Sequence, residues 1–350
     1  MNLSLRISFV ISLTITIFLA VALTGWLSLR GSQSAVQEIA EDLCQEMAMR
    51  IREQVLNFLE APAQLNRLNV LALKSNRLDL QEPLDRQQYF FHQIQAFPTI
   101  AYIYLGLPSG DFYGVRRRNN DGLSMAQNNK PDENNTVLSA TTSEELIQTF
   151  IEPYPDFDPR TRPWYKKAAS EKKLVWSELY LDFLAKQPTI TASHPVYSEQ
   201  GQLVGVFGVD FIMTQFNELL HSLAKHPGHP GKVLIMERGS ALIATSMDTP
   251  VLIEQNNQQM RVSALNHSDP VLRAAAQHLH KIHQEDNVIK GTHVDFKIEV
   301  NKQRQFVYVL PITNKHELDW LVMIIIPELA FMGDVRRLFW LTIAATMLLG

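Results

Sequence analysis

The feature that most constrains this chain is a long uncharged run near its N-terminus. Residues 7–29 contain no charged side chain, and Arg6 and Arg30 border them. At about 1.5 Å per residue, a helix of this length crosses the hydrocarbon core of a bilayer. A secretory signal peptide has a shorter apolar core, which is followed by small residues at a cleavage site. The sequence therefore predicts a retained transmembrane helix over residues 7–29.

A second apolar run lies at the other end of the sequence, over residues 338–350, and follows Arg336 and Arg337. We interpret it as the start of a second transmembrane helix. The alternative is a buried C-terminal helix, because the run is shorter than a full membrane span. We therefore expect a region outside the bilayer between two membrane segments.

Composition excludes several classes of protein. With 350 residues, of which 46% are hydrophobic, the chain can bury a large core and form two or three compact units. Its net charge of -4 gives no basic surface for nucleic acid. The single cysteine, Cys44, excludes an internal disulfide and every metal site built from several cysteines.

A long amphipathic helix is predicted after the first membrane segment. Apolar residues recur every three or four positions from Val36 to Phe58, with charged residues between them. Pro62 should kink or end this helix, and helical spacing then resumes as far as about Lys74. A helix over residues 31–74 is long enough to brace two stacked modules.

Two regions rich in strands follow, separated by the proline and glycine cluster that ends at Gly231. In the first region, the segments 99–107 and 112–118 predict one hairpin, and the segments 188–198 and 202–211 predict another. The apolar second strand of the later hairpin belongs at the centre of a sheet. The asparagine-rich segment 119–135 is expected to be an exposed loop. The second region contains five further strand patterns and one helical stretch.

The segment "DPRTRPWYKKA", residues 158–168, carries an unusual density of hydrogen-bond donors and flat rings. Arg162 offers a planar fork of donors that matches a carboxylate, and Trp164 and Tyr165 add further donors and stacking faces. The alternative is that both aromatic residues anchor a helix whose first turn contains Pro163. The residues alone leave a carboxylate site and core packing equally supported.

Two later residues are open to similar alternatives. Asp210 follows the apolar stretch "GVFGV" and either pairs with a ligand ammonium or caps the next helix. Tyr180, in "WSELYLDF", is either a ligand contact or a packing residue.

The sequence gives little support for a metal, a cofactor or catalysis. His221, His226 and His229 fall across a proline-rich linker without an acidic partner, which argues against a metal site. Glycine-rich phosphate loops and catalytic triads or carboxylate pairs are not recognisable, so we expect no cofactor and no enzymatic activity within these residues.

The order of "DPRTRPWY", "WSELYLD" and "GVFGVDF", after a long helix and between two membrane segments, resembles the double Cache sensor domain of bacterial transmembrane receptors. The resemblance extends from about Gly31 to Met332. It implies an α+β fold in which the long N-terminal helix braces two PAS-like antiparallel-sheet modules. These are a membrane-distal module, residues 75–225, and a membrane-proximal module, residues 232–332. Ligands usually bind the distal module in that family.

One subset of the family binds amino acids, and the resemblance assigns its site residues. Arg162, Trp164 and Tyr165 would hold the ligand carboxylate, and Tyr180 and Asp210 would hold the amine. Phe157 stands where a tyrosine is expected, which removes one hydroxyl from the pocket.

The resemblance also implies a setting and a mode of action. The chain would be a homodimer in the inner (plasma) membrane, with the region between the two membrane segments extracytoplasmic and a small molecule as its ligand. The output would lie beyond Gly350 and would be a histidine kinase, a nucleotide or diguanylate cyclase, or a chemotaxis domain. The competing interpretation is a structural or partner-binding ectodomain without a small-molecule ligand.

Overall fold

The computed structural model describes residues 5–80, 82–118, 122–128, 136–140, 148–153, 157–184, 186–224, 231–255, 258–286, 293–313 and 318–330. Its α-helices are α1 (Leu5–Lys74), α2 (Pro83–Ala96), α3 (Pro163–Glu171), α4 (Met213–Ala224) and α5 (Pro270–Asp286). Short 3-10 helices cover Pro159–Thr161 and Ala264–Asn266.

The strands fall into two groups along the chain. The first group is β1 (Tyr102–Gly106), β2 (Phe112–Arg117), β3 (Leu123–Asn128), β4 (Thr136–Ala140), β5 (Gln148–Pro153), β6 (Val175–Trp176), β7 (Tyr180–Leu181), β8 (Pro188–Tyr197) and β9 (Leu203–Ile212). The second group is β10 (Lys232–Glu237), β11 (Leu242–Thr245), β12 (Leu252–Gln255), β13 (Gln258–Arg261), β14 (Val294–Val300), β15 (Gln303–Thr313) and β16 (Asp319–Pro327).

The helix α1 is longer and more regular than the sequence predicts. It ends at Lys74 as expected, but it continues through Pro62, so the prediction that this proline might end the helix is wrong. Residues from Cys44 to Leu59 pack in a core with the second group of strands, and Leu65 and Val70 pack in a core with the first group. One helix therefore contributes to both cores.

In the described part of the chain, the first group of strands forms one antiparallel sheet in the order β5-β4-β3-β2-β1-β9-β8-β6, and β7 also pairs with β8. Both predicted hairpins are present, as β1–β2 and β8–β9. The apolar strand β9 lies between β1 and β8, at the interior position that its composition predicts.

The expectation of an exposed loop over residues 119–135 is wrong in part, because Leu123–Asn128 forms β3. This strand pairs with β2 and with β4, and it buries Leu123 and Met125 in the core. The strand was not recognised in the sequence because polar residues flank it. Pairing with a strand on each side supplies hydrogen-bond partners for its backbone N–H and C=O groups.

The two faces of the first sheet have different roles. Side chains alternate along a strand, so Ile103 and Leu105 of β1 face the core that α2 covers, and Tyr102 and Tyr104 face the opposite side. That opposite side is covered by α3 and by the segment before it, which includes Phe157.

The second group of strands forms a five-stranded antiparallel sheet in the order β11-β10-β16-β15-β14, with β12 and β13 as a separate hairpin. The long helix and the two antiparallel sheets fit the predicted α+β architecture of PAS-like modules. The exact limits of the two modules stay predictions.

The predicted membrane segments differ in how far they are described. Residues 7–29 are helical as part of α1, while residues 338–350 lie outside the described residues. Within the described part of the chain, no helix is both long and apolar enough to span a membrane. The membrane-spanning role of both segments stays a prediction.

Candidate functional site

A cleft lies on the face of the first sheet that α3 covers. Its volume is about 300 Å³, counting its open mouth. The residues that line it are Tyr102, Tyr104, Phe112, Phe157, Arg162, Trp164, Tyr180, Asp182, Phe183, Leu184 and Asp210. Four of the five predicted site residues therefore share one cavity.

The floor of this cavity is formed by neighbouring strands. Asp210 of β9 is paired with Tyr102 of β1 on one side and with Thr191 of β8 on the other. The Asp210 Oδ1 atom accepts hydrogen bonds from the Tyr104 hydroxyl and from the Thr191 hydroxyl, each at 2.6 Å. The Tyr180 hydroxyl lies 2.7 Å from the Thr191 Oγ1 atom and can donate to it. A chain of hydroxyls thus holds the carboxylate in place.

The environment of Asp210 changes its ionisation. Burial raises the pKa of this carboxyl to about 7, and the negative charge of Asp182 adds to the increase. The hydrogen bonds from Thr191 and Tyr104 and the positive charge of Arg162 act in the opposite direction. Asp210 lies inside β9, before α4 begins, and its side chain binds hydroxyls. The helix-capping alternative for Asp210 is therefore excluded.

Two glycines make room for the tyrosine that reaches Asp210. A Cβ atom at Gly208 would lie 2.1 Å from Cε2 of Tyr104, and a Cβ atom at Gly114 would lie 2.5 Å from its Cβ atom. Distances below about 3 Å between such atoms do not occur without displacement. The Tyr104 ring can therefore cross its neighbouring strand toward Asp210 only because position 208 has no side chain.

Arg162 reaches the cavity because of the turn that precedes it. Asp158 accepts a hydrogen bond from the backbone N–H of Arg160 and so begins the 3-10 helix Pro159–Thr161. Arg162 is then extended (φ -78°, ψ 148°), as a residue before proline prefers to be. The Arg162 Nη2 atom donates to the Leu181 carbonyl at 3.1 Å. The rest of its donor fork is available to the cavity.

The two arginines of this segment have different surroundings. The Arg160 side chain binds Asp158 in an exposed ion pair and does not line the cavity. The Arg162 Cζ atom lies 5.4 Å from the ring centre of Tyr180 and 5.7 Å from that of Phe183, within range of cation–π attraction. Arg162 is thus the guanidinium of the cavity.

The two aromatic residues of the same segment also separate. Trp164 is 2% exposed, lines the cavity and lies 4.8 Å from the Tyr104 ring. It packs on Gly106, where a Cβ atom would approach its Cη2 atom to 2.8 Å. Tyr165 is also buried but does not line the cavity, and its ring contacts Trp164. The helix that the packing alternative predicts is present as α3, and for Tyr165 the structure favours packing.

Sequence reasoning missed several members of the site. Tyr104 and Thr191 bind Asp210, but each is far from it in the sequence and neither belongs to a recognisable motif. The other missed residues that line the cavity are Tyr102, Phe112, Asp182, Phe183 and Leu184. The available signal was the glycines of the interior strands β2 and β9, since a glycine inside a strand often marks a close approach.

The linker histidines were the other candidate residues, considered for a metal site. In the described part of the chain, no group of three or more histidine, cysteine, aspartate or glutamate residues could hold a metal ion. Among the linker histidines, His221 is described and lies 3.0 Å from the Ser246 carbonyl, while His226 and His229 lie outside the described residues.

Comparison with known proteins agrees with this architecture. The family model described as "methyl-accepting chemotaxis protein-like, first PDC sensor domain" matches residues 80–218. The chain is 29% identical over 108 residues to the methyl-accepting chemotaxis protein PscA of Pseudomonas syringae pv. tomato, covering 31% of this chain and 16% of that protein. It is 27% identical over 108 residues to McpC of Bacillus subtilis, covering 26% of this chain and again 16% of the relative.

Solved structures share the fold. The ligand-binding domain of the chemoreceptor CtaA of Pseudomonas fluorescens, solved with L-isoleucine, has a TM-score of 0.53 at 16% identity, covering 86% of this chain and 98% of that one. The sensory domain of the Campylobacter jejuni chemoreceptor Tlp3 has a TM-score of 0.50 at 17% identity, with the same coverage. The predicted double Cache fold is confirmed, and within it residues 80–218 match the family model of the first PDC sensor domain.

Proposed function

We propose that the chain is the extracytoplasmic sensing region of a transmembrane receptor and that it binds an amino acid, or a related small molecule with an amine and a carboxylate. The observation that carries the proposal is that Arg162 and Asp210 line one small cavity. A zwitterion needs opposite charges held a short distance apart, and this cavity offers both.

Each end of the ligand has a matching partner in the proposal. The Arg162 guanidinium binds the ligand carboxylate through its donor fork. The ligand ammonium donates to Asp210, whose carboxylate is held by Tyr104 and Thr191. Trp164 and Tyr180 form aromatic walls between these ends. The complexes of CtaA with L-isoleucine and L-leucine, in a chain of the same fold, support an amino-acid ligand.

The proposed signal passes to the membrane. Residues 7–29 and 338–350 anchor a homodimer in the plasma membrane, and ligand binding shifts it toward the conformation for which the ligand has the higher affinity. The region has no enzymatic activity of its own in this proposal. The names of the curated relatives favour a chemotaxis output over a kinase or cyclase. The 108 matched residues cover 16% of each relative's length, and the proposal places the output beyond Gly350.

Isothermal titration of the intact chain, in detergent micelles, against a panel of amino acids, amines and carboxylates tests the proposal. We expect at least one amino acid to bind, and Arg162→Ala to weaken that binding. A panel in which nothing binds, or an Arg162→Ala variant that binds as well as the parent, contradicts the proposal. For localisation, a reporter fused after Gly31 that is found in the cytoplasm contradicts the extracytoplasmic assignment.

The competing function is a structural or partner-binding ectodomain in which the cavity residues serve packing. It predicts that Arg162→Ala and Asp210→Ala lower the unfolding temperature while no small molecule raises that of the parent. Thermal unfolding with and without the panel separates the two functions.

A further inference from the structure

Part of the cavity lining is a continuous apolar surface, which we call the phenylalanine wall: Phe112, Phe157, Phe183 and Leu184. The ring centres of Phe112 and Phe157 are 4.7 Å apart, and those of Phe157 and Phe183 are 5.0 Å apart. These rings belong to one packed cluster, with Leu184 against it. The wall is therefore a packed surface with no ionisable side chain.

The charged groups Arg162, Asp182 and Asp210 line the same cavity as the wall. The wall begins beside the guanidinium, because the Arg162 Cζ atom lies 5.7 Å from the Phe183 ring centre. The hydroxyls of Tyr104 and Tyr180 are already engaged, with Asp210 and with Thr191. A ligand whose charged ends bind Arg162 and Asp210 therefore has the phenylalanine wall beside its remaining atoms.

We propose that the phenylalanine wall receives the side chain of the bound amino acid and selects apolar side chains, aliphatic or aromatic, over polar and charged ones. This inference rests on the proposed function, because it concerns the side chain of an amino acid whose charged ends bind Arg162 and Asp210.

The physical reason is desolvation. A carboxamide, carboxylate or guanidinium pressed against the wall loses hydrogen bonds to water and gains none from the four wall side chains, a cost that corresponds to about tenfold to a hundredfold in affinity. An aliphatic or aromatic side chain gains by leaving water.

Phe157 has a particular place in this surface. Its backbone carbonyl accepts a hydrogen bond from the buried Asn128 side chain at 2.9 Å, and its ring lies between those of Phe112 and Phe183. A tyrosine at this position would bring a hydroxyl to the wall. Phe157 keeps the wall apolar and is therefore a specificity-determining residue in this inference.

Titration of the intact chain with six L-amino acids tests the selectivity. L-Leucine, L-isoleucine and L-phenylalanine should bind about tenfold or more tightly than L-asparagine, L-aspartate and L-arginine. Equal or tighter binding of the polar set overturns the inference and leaves the proposed function intact. If none of the six binds, the inference is overturned as well, while the proposed function is decided by the wider panel of amino acids, amines and carboxylates.

Two variants test whether the wall causes the selectivity. Leu184→Asn places a carboxamide on the half-buried edge of the wall and should reduce the affinity ratio of L-leucine to L-asparagine about tenfold. Phe157→Tyr changes the wall with little change in volume and should lower the same ratio in the same direction. The matched control is Leu68→Asn on the exposed face of α1, where Leu68 is 54% exposed, and it should leave the ratio unchanged. A ratio that neither wall variant changes overturns the inference.

Discussion

The two sheets of this molecule differ in what fills the space above their interior strands. The first sheet has Gly114 in β2 and both Gly205 and Gly208 in β9, all in strands with neighbours on either side. The interior strands of the second sheet, β10, β15 and β16, contain no glycine and bury nearly continuous apolar side chains. The first sheet thus leaves room for rings to lie across it, and the second is filled by its own side chains.

The second sheet has a cleft of a different kind. It lies between α1 and the strands β14 and β15, with a volume of about 280 Å³ counting its open mouth, and Glu41, Cys44 and Asp295 are among the residues that line it. Burial, with the charges of Glu41 and Asp295, raises the pKa of the Cys44 thiol to about 12, so the thiol stays neutral. Among the described residues, this cleft is lined by no arginine. The difference between the two sheets shows that the candidate site depends on the glycines of interior strands, which leave room for Tyr104, as much as on the segment that carries Arg162.

The largest effect is expected from filling one of these gaps. Gly208→Ala places a Cβ atom 2.1 Å from Tyr104 and must displace the ring that holds Asp210. We expect amino-acid affinity to fall about a hundredfold or more and the free energy of unfolding to fall by about 1–3 kcal/mol. Titration calorimetry and denaturant unfolding measure both.

The matched control for this variant lies among the second group of strands. Nothing lies within 4 Å of the corresponding Cβ position at Gly239, between β10 and β11, so Gly239→Ala should change neither quantity. A Gly208→Ala variant that binds like the parent would show that the gap in β9 is not needed for the site.

A large effect on binding alone is expected from Arg162→Ala. The guanidinium has one hydrogen bond to the protein, to Leu181, so its removal costs little stability, while the ligand carboxylate loses charge-assisted bonds. We expect about a hundredfold weaker binding, measured by titration calorimetry. Arg160→Ala, two residues away in an exposed ion pair, should leave affinity unchanged. If Arg160→Ala weakened ligand binding as much as Arg162→Ala, the assignment of Arg162 alone to the ligand carboxylate would be contradicted.

The raised pKa of Asp210 predicts a dependence of binding on pH. An ammonium ligand binds the ionised carboxylate, whose pKa is about 7 in the folded protein. Affinity should therefore fall as pH falls below about 7, by up to about tenfold per pH unit. Asp210→Asn should bind more weakly and without this dependence between pH 5 and 8. A parent whose affinity is constant over that range contradicts the role of Asp210.

The Asp210 carboxyl has the opposite pH effect on folding stability in the absence of ligand: stability should fall, and not rise, as pH increases. Its folded pKa, about 7, lies above its ordinary value of 3.8, so the folded state holds the proton more tightly. This contribution to stability is full below about pH 4 and is lost as pH rises through about 7. Denaturant unfolding across this window should show a downward slope that Asp210→Asn reduces.

A smaller effect on ligand affinity is expected from removing a hydrogen bond that joins the two groups of strands. The Gln259 side chain of β13 accepts a hydrogen bond from the Leu181 backbone N–H at 3.2 Å, and the Leu181 carbonyl accepts from Arg162. Gln259→Met removes the acceptor and should weaken ligand binding about threefold, since one neutral hydrogen bond contributes about 1 kcal/mol or less. It should also speed hydrogen exchange at the Leu181 amide.

Gln259→Glu is the control for this contact because it keeps an acceptor of the same reach. It should restore both affinity and exchange protection toward those of the parent. If the two variants behave alike, the contact does not position Arg162.

Much of the fold follows from the sequence because its signals are local. Helical periodicity predicts the end of α1 at Lys74, and the strand patterns predict the β1–β2 and β8–β9 hairpins. The strand β3 was hidden because its flanking residues are polar and its stability comes from partners on both sides. Of the two outcomes expected at Pro62, a kink or the end of the helix, the end did not occur, because packing on both sides of the proline keeps α1 continuous.

The site was less predictable because its key contacts cross the sheet. Arg162, Trp164, Tyr180 and Asp210 could be nominated from the resemblance, and the structure brings them to one cavity. The contact between Tyr104 and Asp210 joins residues that are 106 positions apart and depends on Gly208. Local patterns carry no signal for such a contact, and they also failed to separate the packing role of Tyr165 from the cavity role of Trp164.

The claim at the centre of this account is that one cavity holds both charged ends of a zwitterion. The most direct measurement compares, by titration calorimetry on the intact chain, L-leucine with 4-methylpentanoate, which lacks the amine, and with 3-methylbutylamine, which lacks the carboxylate. We predict that each analogue binds about a hundredfold or more weakly than L-leucine, because each leaves Asp210 or Arg162 without its partner. An analogue that binds as tightly as L-leucine would contradict the claim.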